Sequence, residues 1–238
     1  MFKGKLFVFR RPVKRGGAKP FAGACQTVTF RQFLCSLCRR AVVMRAIALA
    51  TEDELSEAIG LRLIAESPFH ELSVLKLRKN GFGYLKSRMD NWRQLAEQRT
   101  VLVLTDLDRL SCPVVLRKDW LGTQPVPDRL LLRIAVREIE SWVLADHDAM
   151  RKLIGDRGKL PPAPDELSDP KAFLLNMVRK YAPRDVKQDL LAERGAMASQ
   201  GVGYNYRLVA WVKSDWSPDR AAVRSPSLLR ARQALRDA

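Results

Sequence analysis

The chain has 238 residues, 47% of them hydrophobic, and a formal net charge of +16. That length suits one substantial α/β domain with or without an appendage, and no apolar run approaches the roughly 20 residues of a membrane-spanning helix. Four cysteines are too few for a disulfide scaffold, so a reducing cytoplasm is the expected compartment, and the charge points to an anionic partner, nucleic acid first.

Residues 1–43 hold ten Lys or Arg and no Asp or Glu, which leaves +6 for everything after them. Cys35-Ser-Leu-Cys38 has the spacing of half a zinc knuckle, but no second pair completes it and the segment has no His. A basic nucleic-acid arm fits this composition, and a targeting sequence fits less well. The expectation is an N-terminal extension, disordered or added by choice of start codon, with Met44 as the natural start.

From Met44 onward, strands alternate with helices. Ala46–Ala50 is a short apolar run, read as the first strand. Thr51 with Glu54 three positions on resembles a capping box, followed by Leu55, Ala58, Ile59, Leu61, Leu63 and Ile64. Leu72–Leu77 suits a strand and Asn80-Gly-Phe-Gly83 a loop, with a helix over 85–98. Val101–Leu104 is apolar and half β-branched, the habit of a strand buried on both faces. A helical turn over 114–121 is predicted, then a strand over Leu130–Val136 and a helix over Arg137–Asp146. This order specifies a mainly parallel sheet flanked by helices.

In such sheets ligands sit at the carboxyl ends of the strands. Glu52, Asp106, Asp108 and Glu138 each fall just past the end of a predicted strand. Asp106 and Asp108 are two apart, and in an extended chain such residues point to one side with Cα atoms roughly 6–7 Å apart. Two neighbouring carboxylates repel unless a cation relieves them, and Mg²⁺ or Mn²⁺ favours oxygen ligands. A solvated Asp-rich turn is the competing reading of a lone D-x-D. Dipole compensation likewise competes for Glu52, Asp53 and Glu54, and a salt-bridged helix start for Glu138. None of these alternatives requires the acids to converge. Trp142, one turn after Glu138, is assigned to the core.

Lys159-Leu-Pro-Pro-Ala-Pro-Asp165 is a rigid connector, dividing an α/β domain over 44–158 from a helical C-terminal region over 159–238. Within that region helices are expected over 170–180 and 205–212, with Ser217-Pro218 and Ser225-Pro226 as helix openings and a loop over 195–203. Its basic cast includes Arg194. Arg109, Arg137, Arg184, Lys187 and Arg230 are the candidate nucleic-acid contacts, against the alternative of a solvated basic surface. Tyr204 and Tyr206 either stack on bases or pin their loop to the core.

Strand–Glu–helix followed by strand–D-x-D resembles the Toprim domain of topoisomerases, primases and OLD-type nucleases, over roughly residues 44–146. Asp53 stands where that pattern has Gly, which leaves Glu52 and Glu54 as alternatives; Glu52 directly follows the strand and is preferred. Arg137-Glu-Ile-Glu-Ser-Trp-Val-Leu-Ala-Asp146, Gly203-Tyr-Asn205, Trp216 and Ser225-Pro-Ser-Leu-Leu-Arg-Ala231 are similar to a bacterial family called domain of unknown function 4276, itself Toprim-like and linked to ATPases in phage defence. The resemblance implies a Mg²⁺ or Mn²⁺ site at Glu52, Asp106 and Asp108. It further implies phosphodiester cleavage of nucleic acid, DNA ahead of RNA, with Glu52 or Glu138 as general base; Glu138, and after it Glu140, belong to the second family's own motif. An ATPase would be a partner chain, because no G-x-x-x-x-G-K-[ST] occurs here. His70 and His147 make no recognisable metal site or triad, and Cys112 lacks a placed base. The rival class is a basic adaptor that binds nucleic acid or a partner without chemistry.

Overall fold

Strands β1 (Ala46–Ala50), β2 (Ser73–Lys76), β3 (Val101–Asp106) and β4 (Leu130–Ala135) form a four-stranded sheet in the order β2-β1-β3-β4. All of its pairings are parallel, and Asp106 at the end of β3 stands opposite Ala135 of β4. The computed structural model describes residues 46–79, 83–193 and 195–238. The basic segment 1–43 with Cys35 and Cys38, the start at Met44, residues 80–82 of the expected loop, and Arg194 lie outside the described residues.

The apolar strands divide their side chains between two cores by simple alternation. Ile47, Leu49, Leu102, Leu104 and Leu131 face one way, while Ala48, Ala50, Val101, Val103, Leu130 and Leu132 face the other. Helices α2 (Tyr84–Ser87), α3 (Met89–Ala96) and α4 (Pro113–Leu121) cover the second face through Leu85, Met89, Trp92, Ala96 and Leu121. The first face receives α1 (Glu54–Ala65), α5 (Ile139–Ala145) and α6 (His147–Ile154). It also receives the C-terminal helices α7 (Pro170–Tyr181), α8 (Arg184–Leu190), α9 (Tyr204–Ser214), α10 (Pro218–Ala222) and α11 (Pro226–Arg236). Residues before and after the proline connector therefore share one core. The α/β class, the parallel sheet and the helical C-terminal region are as the sequence leads one to expect.

Tryptophans fasten this assembly with specific bonds as well as buried area. Trp142 donates its indole N–H to Ser227 Oγ at 2.7 Å, and Trp216 donates to the Trp142 carbonyl at 3.0 Å. Trp211 donates to the Ala149 carbonyl at 3.2 Å. Asp146 is fully buried and fully partnered. It caps α6 through the Ala149 N–H and accepts from Ser217 N–H and from the Arg220 guanidinium at 2.9 and 2.7 Å.

Four local expectations are corrected. The N-cap of α1 is Asp53, whose carboxylate accepts from Ser56 N at 2.7 Å and Ser56 Oγ at 3.1 Å, while Thr51 is buried. The helix expected over 85–98 breaks at Arg88. There the Trp92 indole takes the Leu85 carbonyl at 3.0 Å, the acceptor a continuous helix would give to Met89 N–H. Helices α6 and α8 are additional: Asp146 ends one helix and caps the next, and Pro183 precedes α8. Cys112 is the N-cap of α4, its Sγ 3.4 Å from Val114 N. Among the described residues no helix is long and apolar enough to cross a membrane.

The turn into α9 depends on Gly201. A Cβ there would lie 2.4 Å from the Asp189 carbonyl oxygen and 2.8 Å from that of Leu191, backbone atoms unable to rotate away. Gly201→Ala is expected to cost roughly 1–3 kcal/mol in urea unfolding. Val202→Ala, at a fully exposed neighbour, should leave the midpoint unchanged.

Candidate functional site

Because β1, β3 and β4 are adjacent and parallel, the loops at their carboxyl ends open onto one rim. Glu52 and Asp53 follow β1, Asp106 closes β3 with Asp108 just beyond, and Glu138 and Glu140 follow β4. The carboxyls sense one another. Asp106 is pushed well above the usual carboxylate range, by burial first and then by the charges of Glu140, Asp53, Asp108 and Glu138. Glu52 is raised by burial, Asp108 and Asp53. Glu138 is raised by burial and by Glu140, against the lowering pull of the Lys171 N–H.

Asp106 and Asp108 do not share a face by strand geometry, which is a correction. The strand stops at Asp106, Leu107 turns into the core, and Asp108 adopts a left-handed φ of 51°. Aspartate tolerates that region better than most residues. The turn is fixed by Asp108 N–H donating to the Arg137 carbonyl at 2.8 Å. Arg137 Nη1 returns two bonds, to the carbonyls of Asp108 at 3.3 Å and Leu110 at 2.9 Å. The guanidinium expected to contact nucleic acid thus clamps the D-x-D loop.

Glu138 has an extended backbone at the start of α5, and its Oε2 accepts from Lys171 N–H at 3.0 Å, in the first turn of α7. Its other oxygen lies outside that bond. Glu140 is buried, with 3% of its side chain exposed, so it needs partners. It has two: Tyr204 O–H donates to Oε1 at 2.8 Å, and Lys171 Nζ lies 3.3 Å from the same oxygen. The Lys171 ammonium also sits over the Tyr204 ring, 5.7 Å from its centroid. Burial pulls the Lys171 amine down, but Glu140, Glu138 and Asp106 outweigh it and hold it raised, hence charged. Burial, and then Glu140, keep the Tyr204 phenol protonated.

Glu54, the alternative to Glu52, points outward to Arg78 at 3.2 Å. Tyr204 is buried, whereas Tyr206 is exposed. Arg109 is exposed in the D-x-D turn. Arg184 and Lys187 lie on α8, which packs on α7 and α9. Arg230 lines a groove of about 380 Å³ with Asp128, Leu131 and Arg133, at the amino end of β4 and so away from the rim. A groove of about 530 Å³ between α6, α8 and α9 shares no residue with the carboxylates, and its charges are paired as Arg207–Asp185 and Lys152–Asp215.

The sequence pattern did not single out Lys171, and it favoured Glu52 over Asp53 and Glu138 over Glu140. One signal for Lys171 was present: a cation in the first turn of a helix that has no acid there opposes the helix dipole. Glu140 and Tyr204 both lie inside the R-E-I-E and G-Y-N motifs.

The donor set suits a hard cation, being all carboxylate oxygen with unrelieved repulsion. Among the described residues no three His, Cys, Asp or Glu side chains stand close enough to hold an ion as they are. A fit therefore requires an ion that keeps part of its water shell, as Mg²⁺ does, rather than a closed protein cage.

Raised carboxyl pKa values carry a sign for stability. Glu52, Asp106 and Glu138 favour the fold below their unfolded values, 4.5, 3.8 and 4.5. That contribution is lost as pH rises through their higher folded values. Asp106→Asn, uncharged at every pH, should therefore raise the metal-free melting temperature at pH 7 and change it little near pH 3.5. A lower melting temperature at pH 7 would show that the Asp106 charge is compensated.

Compared with protein-family models, with curated proteins and with solved structures, the chain finds no match.

Proposed function

We propose that this chain is a Mg²⁺- or Mn²⁺-dependent Toprim-like nuclease of the cytoplasm that hydrolyses nucleic-acid phosphodiesters, DNA ahead of RNA. We further propose an ATPase partner, in phage defence or DNA processing. The observation that carries this reading is the gathering of Glu52, Asp106, Asp108 and Glu138 at the carboxyl ends of three neighbouring parallel strands, with Glu52, Asp106 and Glu138 raised first by burial and then by neighbouring acids. Structural carboxylates are ordinarily held below their usual range by partners; Glu52, Asp106 and Glu138 are held above it.

Glu52, Asp106 and Asp108 would hold the ion, which supplies Lewis-acid stabilisation of the phosphate charge. Glu138 has a raised carboxyl and one oxygen outside its bond to Lys171, so it is suited to take the proton of an attacking water. The water oxygen bonds to phosphorus, the ester P–O bond breaks, and the departing oxygen is protonated from solvent. Lys171, charged and partly open to solvent, would offset the negative charge of a phosphate bound at the rim. The Arg137 clamp keeps Asp108 in its turn.

Cleavage of a labelled DNA and a labelled RNA by wild type, Asp106→Ala and Asp108→Ala with MgCl₂ or MnCl₂ tests the reading. Each substitution is expected to cost roughly 100-fold or more, the worth of a few kcal/mol of metal stabilisation. Equal rates in all three proteins would mark a contaminant and leave a basic binding protein. In a parallel melting experiment, millimolar Mn²⁺ should raise the midpoint of wild type and not of Asp106→Ala, since an ion bound only by the folded state stabilises it.

A further inference from the structure

Arginine interrupts the apolar run of β4. Arg133 follows Leu131 by two residues, so its side chain starts toward the same core face, on which α11 packs. A long basic side chain in such a place ordinarily lays its stem along the core and puts its head in water. Arg133 does so only in part: it is half-buried, and its Nε is enclosed without a hydrogen-bond acceptor. Among the described residues it forms no ion pair, and a charge of its own sign stands beside it. That charge is Arg117, on α4, which donates to the Leu132 carbonyl at 3.4 Å. Burial, and then Arg117, pull the Arg133 guanidinium below its ordinary range. A half-buried cation without a counter-charge is costly to keep.

Arg133 lines a groove of about 380 Å³, to which α11 contributes Arg230 and Gln233. Asp128 and Asp237 line it too; both are exposed, and among the described residues neither is ion-paired with these arginines. We propose that this groove is a seat for a single phosphate group, held by Arg133 and Arg230 and separate from the carboxylate rim. A phosphate has oxygens enough to accept from two guanidiniums arriving from different elements, whereas one planar fork already matches a carboxylate. Asp128 and Asp237 repel a run of phosphates along the groove, which limits the seat to one. A free phosphate ester and one phosphate of a nucleic-acid chain present the same chemistry. The seat takes no metal and would exist whether or not the rim cleaves phosphodiesters.

The test is thermal melting of the full chain, free of divalent metal, in sodium chloride, acetate or phosphate at equal ionic strength, on wild type, Arg133→Gln and Arg230→Gln. Phosphate is expected to raise the wild-type midpoint a few degrees above acetate, because a ligand bound only by the folded state stabilises it. That excess should vanish in both variants. General salting effects are common to the three proteins and cancel in the comparison. Arg230→Gln, at an exposed position, carries the comparison if Arg133→Gln does not fold. Binding of a labelled DNA duplex over a salt series identifies the source. A salt slope smaller by about one in the variants assigns the seat to a nucleic-acid phosphate, and an unchanged slope with the excess lost assigns it to free phosphate esters. Acetate matching phosphate would overturn the proposal. So would variants that keep both the wild-type excess and the wild-type slope, or a wild type with no excess whose slope the variants share.

Discussion

Mutual repulsion among carboxylates at one end of a parallel sheet is the constraint around which this fold is arranged. Six acids, Glu52, Asp53, Asp106, Asp108, Glu138 and Glu140, take part in it. Five are delivered by a strand end or the turn after it, and Glu140 by the first turn of α5. Burial removes the water that would otherwise screen them, and Asp106 carries most of that load. What balances the repulsion comes from far away in the chain: one ammonium, one phenol and one backbone N–H, all from the C-terminal helices.

That dependence explains why the C-terminal region is so firmly fixed. Tryptophans at 142, 211 and 216 donate across the boundary between the α/β part and the helices, and Asp146 is bound at once by α6, by the turn before α10 and by Arg220. A buried carboxylate such as Asp146 or Glu140 is tolerable only with its partners in place. The same helices therefore stabilise the sheet's outer face and hold Lys171 and Tyr204 against the rim. Packing and electrostatics here are two aspects of one arrangement, because the side chains that compensate charge are positioned by the side chains that fill the core.

The strands were legible because buried parallel strands are apolar on both faces, and Ala46–Ala50 and Val101–Asp106 have few other uses for such runs. Ser217-Pro218 and Ser225-Pro226 were legible because a serine followed by proline supplies both a cap and a fixed first turn, and both serines do cap their helices. The cap of α1 was misplaced because Thr51 and Asp53 are both capping types, and the exit of β1 buries Thr51 and leaves Asp53 to cap. The break at Arg88 was invisible because it follows from where the Trp92 indole finds its acceptor, a contact made only once Trp92 is in the core.

For the candidate site, the sequence by itself determined which acids follow which strands, since alternation of apolar runs with helices fixes the direction of every strand and so gathers their carboxyl ends. Tertiary structure alone decided the rest. The left-handed turn at Asp108 exists because Arg137, on the neighbouring strand's exit, grips its carbonyls. Lys171 and Tyr204 reach Glu140 across separations of 31 and 64 residues, and no local pattern encodes such a meeting. Short-range rules report what a segment prefers, whereas charge compensation depends on which segments are finally folded against one another.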